Sequence, residues 1–160
     1  MTANPLISPP KRPFDLTAFE TLEPHHFTDA FDKAFETHLA EIDAIATADT
    51  DPTFENTIEA LDRAGRDLTR VAMSFFCITG AHTNEELQRI ERDIAPKIAA
   101  HSNAISMNAV LFARVDAVYT GDGVERLTSE QQRLAERTHR GFVRSGAKLE
   151  ENAKARFAEI

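Results

Sequence analysis

The sequence holds no tryptophan, one tyrosine and one cysteine, and in 160 residues only six glycines and seven prolines. Each scarcity excludes something. A lone cysteine, Cys77, forms no internal disulfide. It stands in SFFCIT among apolar neighbours and reads as a small buried hydrophobe, because a nucleophilic thiol needs an electropositive, partly open setting. Few glycines and prolines leave few turns, which favours a small number of long helices. No apolar run approaches the roughly 20 residues of a membrane span. The opening MTANPLISPPKRPFD lacks an apolar core of signal-peptide length. These absences predict a soluble protein of a reducing compartment, most simply the cytoplasm.

Clustered positive charge is missing as well. Eighteen Lys and Arg stand against 26 Asp and Glu, a net charge of -8, with no basic stripe. Nucleic acid needs cations to replace its phosphate counterions, and anionic membranes need the same, so neither is expected as a partner.

What is present is ordinary globular composition, 42% hydrophobic and 28% charged, in a chain long enough to bury a core without staples. Residues 1–20 carry Pro5, Pro9, Pro10 and Pro13 and predict an extended arm, with Phe14, Leu16 and Phe19 to pin it down. Residues 21–160 carry helical periodicity. A first helix is expected from Pro24, with the stripe Phe27, Phe31, Phe35, Leu39, Ile42 and Ile45, ending at TADTDP. A second is expected from Thr53, an N-cap candidate, with Ile58, Leu61, Leu68, Val71, Phe75 and Ile78 on its stripe. Gly65 falls on that stripe, where either a close helix approach or a local kink would call for it. Gly80 ends this helix.

Thr83 with Glu86 reads as a capping box opening a third helix. Its stripe of Leu87, Ile90, Ile94, Ile98, His101, Ile105 and Phe112 persists to Tyr119. Pro96 should kink it, and a full break between Asn103 and Asn108 is the alternative. After the turn GDGVER, Thr128 and Gln131 form a second capping box, with Leu127 as a staple. The helix that follows carries Leu134, Phe142 and Val143 and breaks at Gly146. A fifth begins near Glu150 and is still in period at Ile160. The expected fold class is all-α: an antiparallel bundle or layer of about five helices behind a Pro-rich arm.

Residues able to do chemistry are scattered. The histidines are His25, His26, His38, His82, His101 and His139, and no two have the spacing of H-E-x-x-H. His25 and His26 are adjacent and point about 100° apart on a helix. His101, on an apolar stripe, reads as a core-edge residue bonded to a carbonyl. His82, in a turn, suits a helix cap or a neighbouring domain. Ser145 has no paired base, GDG is not a phosphate loop, and Glu85, Glu86, Glu91 and Asp93 read as a solvated face. No catalytic, cofactor-binding or metal-binding residue is assigned.

Four stretches in order, PTFENTIEALDRAG (Pro52 to Gly65), AHTNEELQRI (Ala81 to Ile90), LFARVDAVY (Leu111 to Tyr119) and FVRSGAKL (Phe142 to Leu149), resemble the N-terminal helical region of the thimet-oligopeptidase-like zinc metallopeptidases. SFFCITGAHTNEELQRI and LFARVDAVY lean toward the bacterial peptidyl-dipeptidases, also called dipeptidyl carboxypeptidases, within that family. The resemblance implies a much longer, almost wholly helical enzyme whose two lobes enclose a channel for short peptides. It implies zinc held by H-E-x-x-H and a downstream Glu in the larger lobe, and release of dipeptides from peptide C-termini. None of those residues has a counterpart here. The implied role is therefore scaffold and channel wall, with the chain's own C-terminal catalytic domain as partner and short peptides as substrates of the whole. The other reading of the residues is a self-sufficient helical interaction module. An N-terminal piece should expose an orphan apolar patch, which self-association of the isolated chain could cover; a finished module should not.

Overall fold

The computed structural model describes residues 4–8 and 12–149. They are all-α, with no strand among them. The helices are α1 (Pro24–Ala46), α2 (Ala60–Arg63), α3 (Arg66–Ala81), α4 (Glu85–Ser106), α5 (Ala109–Thr120) and α6 (Ser129–Arg144). The chain divides into two compact units, Met1–His38 with Gly65–Ala99, and Leu39–Ala64 with Ala100–Ile160. The helix expected from Glu150 lies outside the described residues.

In the first unit, Phe27 and Phe31 of α1 meet Phe75 of α3 edge to face, at centroid distances of 5.1 and 5.5 Å. Leu87, Ile90 and Ile94 of α4 complete this core with Ala30, Ala34 and Val71. Burial of each such aromatic ring is worth about 1.5–3 kcal/mol, and edge-to-face pairing adds to it. The arm is held differently from the expectation. Phe14, Leu16 and Phe19 are exposed, and Leu6 and Ala18 are buried instead. Asn4 explains the exchange. Its side chain accepts from the Leu6 amide at 2.9 Å and donates to the His26 carbonyl at 2.8 Å, turning Leu6 inward. Arg70 then donates to the Leu6 carbonyl at 2.8 Å. The arm is also less extended than its prolines suggest. Pro13–Asp15 and Phe19–Thr21 are 3₁₀ turns, and the fixed φ of Pro13 suits the first position of such a turn.

The second expected helix is broken at Gly65, whose φ is 71°. A Cβ there would lie 2.6 Å from Cε1 of His38. Both reasons for the glycine therefore hold, the kink and the close approach. Beyond it α3 buries Val71 and Phe75, while Cys77 is exposed rather than buried. The neighbours of Cys77 could not reveal this, because SFFCIT is apolar on both sides of the cysteine and apolar neighbours then carry no information about direction. The cap of α4 is Asn84 rather than Thr83. Its side chain accepts from the Leu87 amide at 2.8 Å. Asn caps at least as well as Thr, and starting one residue later leaves Glu85 and Glu86 together in the first turn, where the helix dipole favours them.

In the second unit, Ile42, Ile45 and Ala46 of α1 pack with Phe54, Ile58, Leu111, Val115, Val118, Ala135 and Phe142. Leu39, expected on the α1 stripe, is exposed. It lies eight residues past Phe31, which turns it about 80° round the helix. Thr53 opens a π turn, Phe54–Glu59, with a reciprocal capping box to Asn56, and the turn runs directly into α2. Pro96 does not end α4. The break comes at Met107, and Asn108 caps α5 by accepting from the Leu111 amide at 2.9 Å. Thr128 and Gln131 exchange the expected pair of capping bonds at the start of α6. The far end of α6 is closed by Gly146, at φ 89°. The Ala147 amide bonds the Phe142 carbonyl at 3.0 Å and the Gly146 amide that of Val143 at 3.2 Å, the paired pattern of a Schellman stop.

Candidate functional site

The motif DPTFENT becomes a polar knot in the second unit. Asn56 Oδ1 accepts from the Thr53 amide at 2.8 Å and from Thr57 Oγ1 at 2.8 Å. Its Nδ2 donates to the Asp51 carbonyl at 2.9 Å and to Thr50 Oγ1 at 3.3 Å. From α5, the buried Arg114 reaches the same place. Its Nη1 donates to the carbonyls of Ala48 and Thr50, both at 2.9 Å, and its Nη2 to Asn56 Oδ1 at 3.3 Å. The planar guanidinium spans three oxygens at once, which an ammonium could not do. It thereby fixes the loop between α1 and the π turn. The acceptors of the guanidinium are two carbonyl oxygens and one amide oxygen, and the threonine hydroxyls of the knot are bonded to Asn56.

A titratable cluster around Asp116 lies on the same unit. His139 Nε2 is 2.8 Å from Asp116 Oδ1, and Lys148 Nζ is 3.4 Å from the same oxygen. The hydrogen bond from His139, more than the nearby Lys148, holds the Asp116 carboxyl below the usual carboxylate range, with burial opposing. An Asp–His pair can orient a general base. Here the imidazole stacks on Tyr119 at 4.2 Å and lies 5.7 Å from Phe112, and only 12% of its side chain is exposed. A base must reach a substrate proton, and this ring is spent on packing α5 against α6.

The other histidines are dispersed. His25 and His26 lie ring to ring at the start of α1, with centroids 4.2 Å apart. His26 Nδ1 accepts from the Glu23 amide at 3.1 Å. His38 abuts Gly65. His82 is the C-cap residue of α3 and is exposed, and His101 is buried on α4. Glu85, Glu86 and Asp93 are exposed. A cleft of about 380 Å³ lies beside Tyr119, Glu125, Ser129 and Glu136, and Glu136 within it pairs with Arg133 at 3.0 Å. Among the described residues no three of His, Cys, Asp and Glu come together as metal ligands. No helix among them is long and apolar enough to cross a membrane. Arg114 and Asp116 were not singled out in the sequence. Their signal was a pair of charges inside the otherwise apolar stretch AVLFARVDAVYT.

These features define an all-α polypeptide with two apolar cores, a buried arginine knot and no assembled reactive centre among its described residues. No protein-family model matches the chain. Along nearly its whole length it is similar to dipeptidyl carboxypeptidases. It is 43% identical over 156 residues to the dipeptidyl carboxypeptidase of Escherichia coli and 40% identical over 157 residues to that of Salmonella typhimurium. Each alignment takes in 98% of this chain and 23% of the relative, so the chain spans about a quarter of the length of these two proteins.

Proposed function

We propose that the chain is the N-terminal helical domain of a zinc-dependent dipeptidyl carboxypeptidase of the cytoplasm, built as an arm (1–20) and a helical body (21–160). In this reading it serves as scaffold and channel wall. Zinc and the catalytic groups belong to the remaining polypeptide, and this chain alone cleaves nothing. The observation that carries the reading is the alignment: 98% of the chain is matched while only 23% of each relative is used. A metal-bound water activated by a motif Glu needs ligands converging on one point, and this reading assigns that point to the remaining polypeptide.

The test is a pair of assays with an oligopeptide of free C-terminus. The full-length protein should release C-terminal dipeptides, lose the activity to a chelator and regain it with zinc. The 160-residue chain should release none. Peptide cleavage by the chain itself, or a natural reading frame that stops after Ile160, would overturn the proposal and favour a self-sufficient interaction module.

A further inference from the structure

We infer that one face of the first unit, formed by Met73, Phe76 and Cys77 of α3 together with Phe14, Leu16 and Phe19 of the arm, is a docking surface for the polypeptide that follows Ile160 in the full-length protein. The inference rests on the function proposed above. Three observations carry it.

The first is the chemistry of α3. From Val71 to Ala81 it has no charged residue. Its inner side packs on α1 and α4 through Val71 and Phe75. Its outer side still presents Met73, 70% exposed, Phe76, 45% exposed, and Cys77. The charges of α3, Arg66, Asp67 and Arg70, are confined to its first turn and a half, so this outer side presents apolar groups with no charge among them. Its neighbour α4 follows the opposite rule, with Glu86, Arg89, Arg92, Asp93 and Lys97 on its exposed side.

The second observation is the arm. Thr17 Oγ1 lies 3.1 Å from Oγ of Ser74, a buried residue next to the exposed Met73, which fastens the arm to α3. Leu16 and Phe19, flanking that bond, are exposed, and Phe14 is 94% exposed. Phe14 is also the one described non-glycine residue with positive φ, at 59°. A bulky residue in the left-handed region is strained. Within this chain its ring gains no burial in return.

The third is length. The relatives are more than four times as long as the stretch this chain matches, since it covers 23% of them. An uncharged face, rather than a charged one, is what a permanent neighbour in the same polypeptide meets, because obligate interfaces resemble a domain core cut in half.

Cys77 is a reporter for this face. In the full-length protein, native and denatured samples are treated with N-ethylmaleimide, and the Cys77 peptide is followed by mass spectrometry. The expected result is labelling about a hundredfold slower in the native protein, as for a group reached only through opening of the structure. In the same protein Phe76→Glu should lower the melting temperature by several degrees, whereas Arg92→Gln, on the charged exposed side of α4, should leave it in place. Labelling as fast as in the denatured protein, in an enzyme that still releases dipeptides, overturns the inference and leaves the proposed function standing. Protection that appears only as protein concentration rises assigns the face to a second copy and also overturns it. A gene that stops at Ile160 removes both.

Discussion

Gly65 and His38 approach so closely that a single added methyl group at the glycine would sit 2.6 Å from Cε1 of the imidazole and 2.8 Å from its Nδ1. The backbone at Gly65 is also left-handed, with φ 71°. Gly65→Ala therefore meets two penalties, the positive φ and the clash, together about 2–3 kcal/mol. At this chain length a loss of that size lowers the melting temperature by roughly 5–10 °C. Adding His38→Ala should restore the part due to the clash and leave the part due to φ. Melting curves of the two single variants and the double variant separate them.

Arg114→Met should destabilise by about 3 kcal/mol, because the carbonyls of Ala48 and Thr50 lose this donor and the Asn56 amide oxygen loses one of its three. Arg114→Lys keeps the charge but not the fork, and should recover less than half of the loss. Urea unfolding of the three proteins reads this directly. A methionine variant as stable as the parent would show that water replaces the guanidinium without cost.

Phe75→Ala removes the ring on which Phe27 and Phe31 both stand and should cost about 4 kcal/mol. Phe75→Leu keeps most of the volume and should cost nearer 1 kcal/mol. Equal losses for the two would mean that the edge-to-face geometry, rather than the filled volume, carries the stability.

Asp116 gives the acid side of the stability curve a definite sign. Its carboxyl is held below its ordinary value of 3.8 in the folded chain, chiefly by His139. The unfolded chain therefore takes up the proton first as pH falls. The stabilisation is fully present above the ordinary value and is lost as pH drops below about 4 through the folded value. Asp116→Asn should be less stable by about 1 kcal/mol near pH 6, since the pair is partly exposed to solvent. The difference should shrink toward zero below pH 3. Denaturant titrations at pH 6, 4 and 3 test the sign as well as the size.

Most of the helices were legible in the sequence because their signals are local. Pro24, Thr53 and the Thr128–Gln131 box each act within four residues of themselves, and the structure uses them as written. The failures share a cause. Leu6 is buried in place of Phe14 because Asn4 makes bonds to the Leu6 amide and the His26 carbonyl, and one of those partners is 22 residues away. Thr83 gave way to Asn84 because two adjacent capping residues compete and only geometry decides. Cys77 was misplaced because its immediate neighbours Phe75, Phe76 and Ile78 are all apolar, and only some of them face the core. The Arg114 knot could not be assembled from sequence, since it joins α5 to a loop more than 60 residues earlier. Its one trace was a charge where the helix had no other reason for one. The likeness of the four motifs to a peptidase family was legible because similarity accumulates along the chain even when no motif holds a reactive group.

The stacking of Tyr119 on His139 has a practical consequence. It is the sole tyrosine of a chain that has no tryptophan, so ultraviolet emission comes almost entirely from one ring, set between α5 and α6. That light reports on the second unit and is blind to the first. If fluorescence and circular dichroism melt at the same temperature, the two halves unfold as one cooperative body. If they part, the gap between the curves measures how far each half stands by itself.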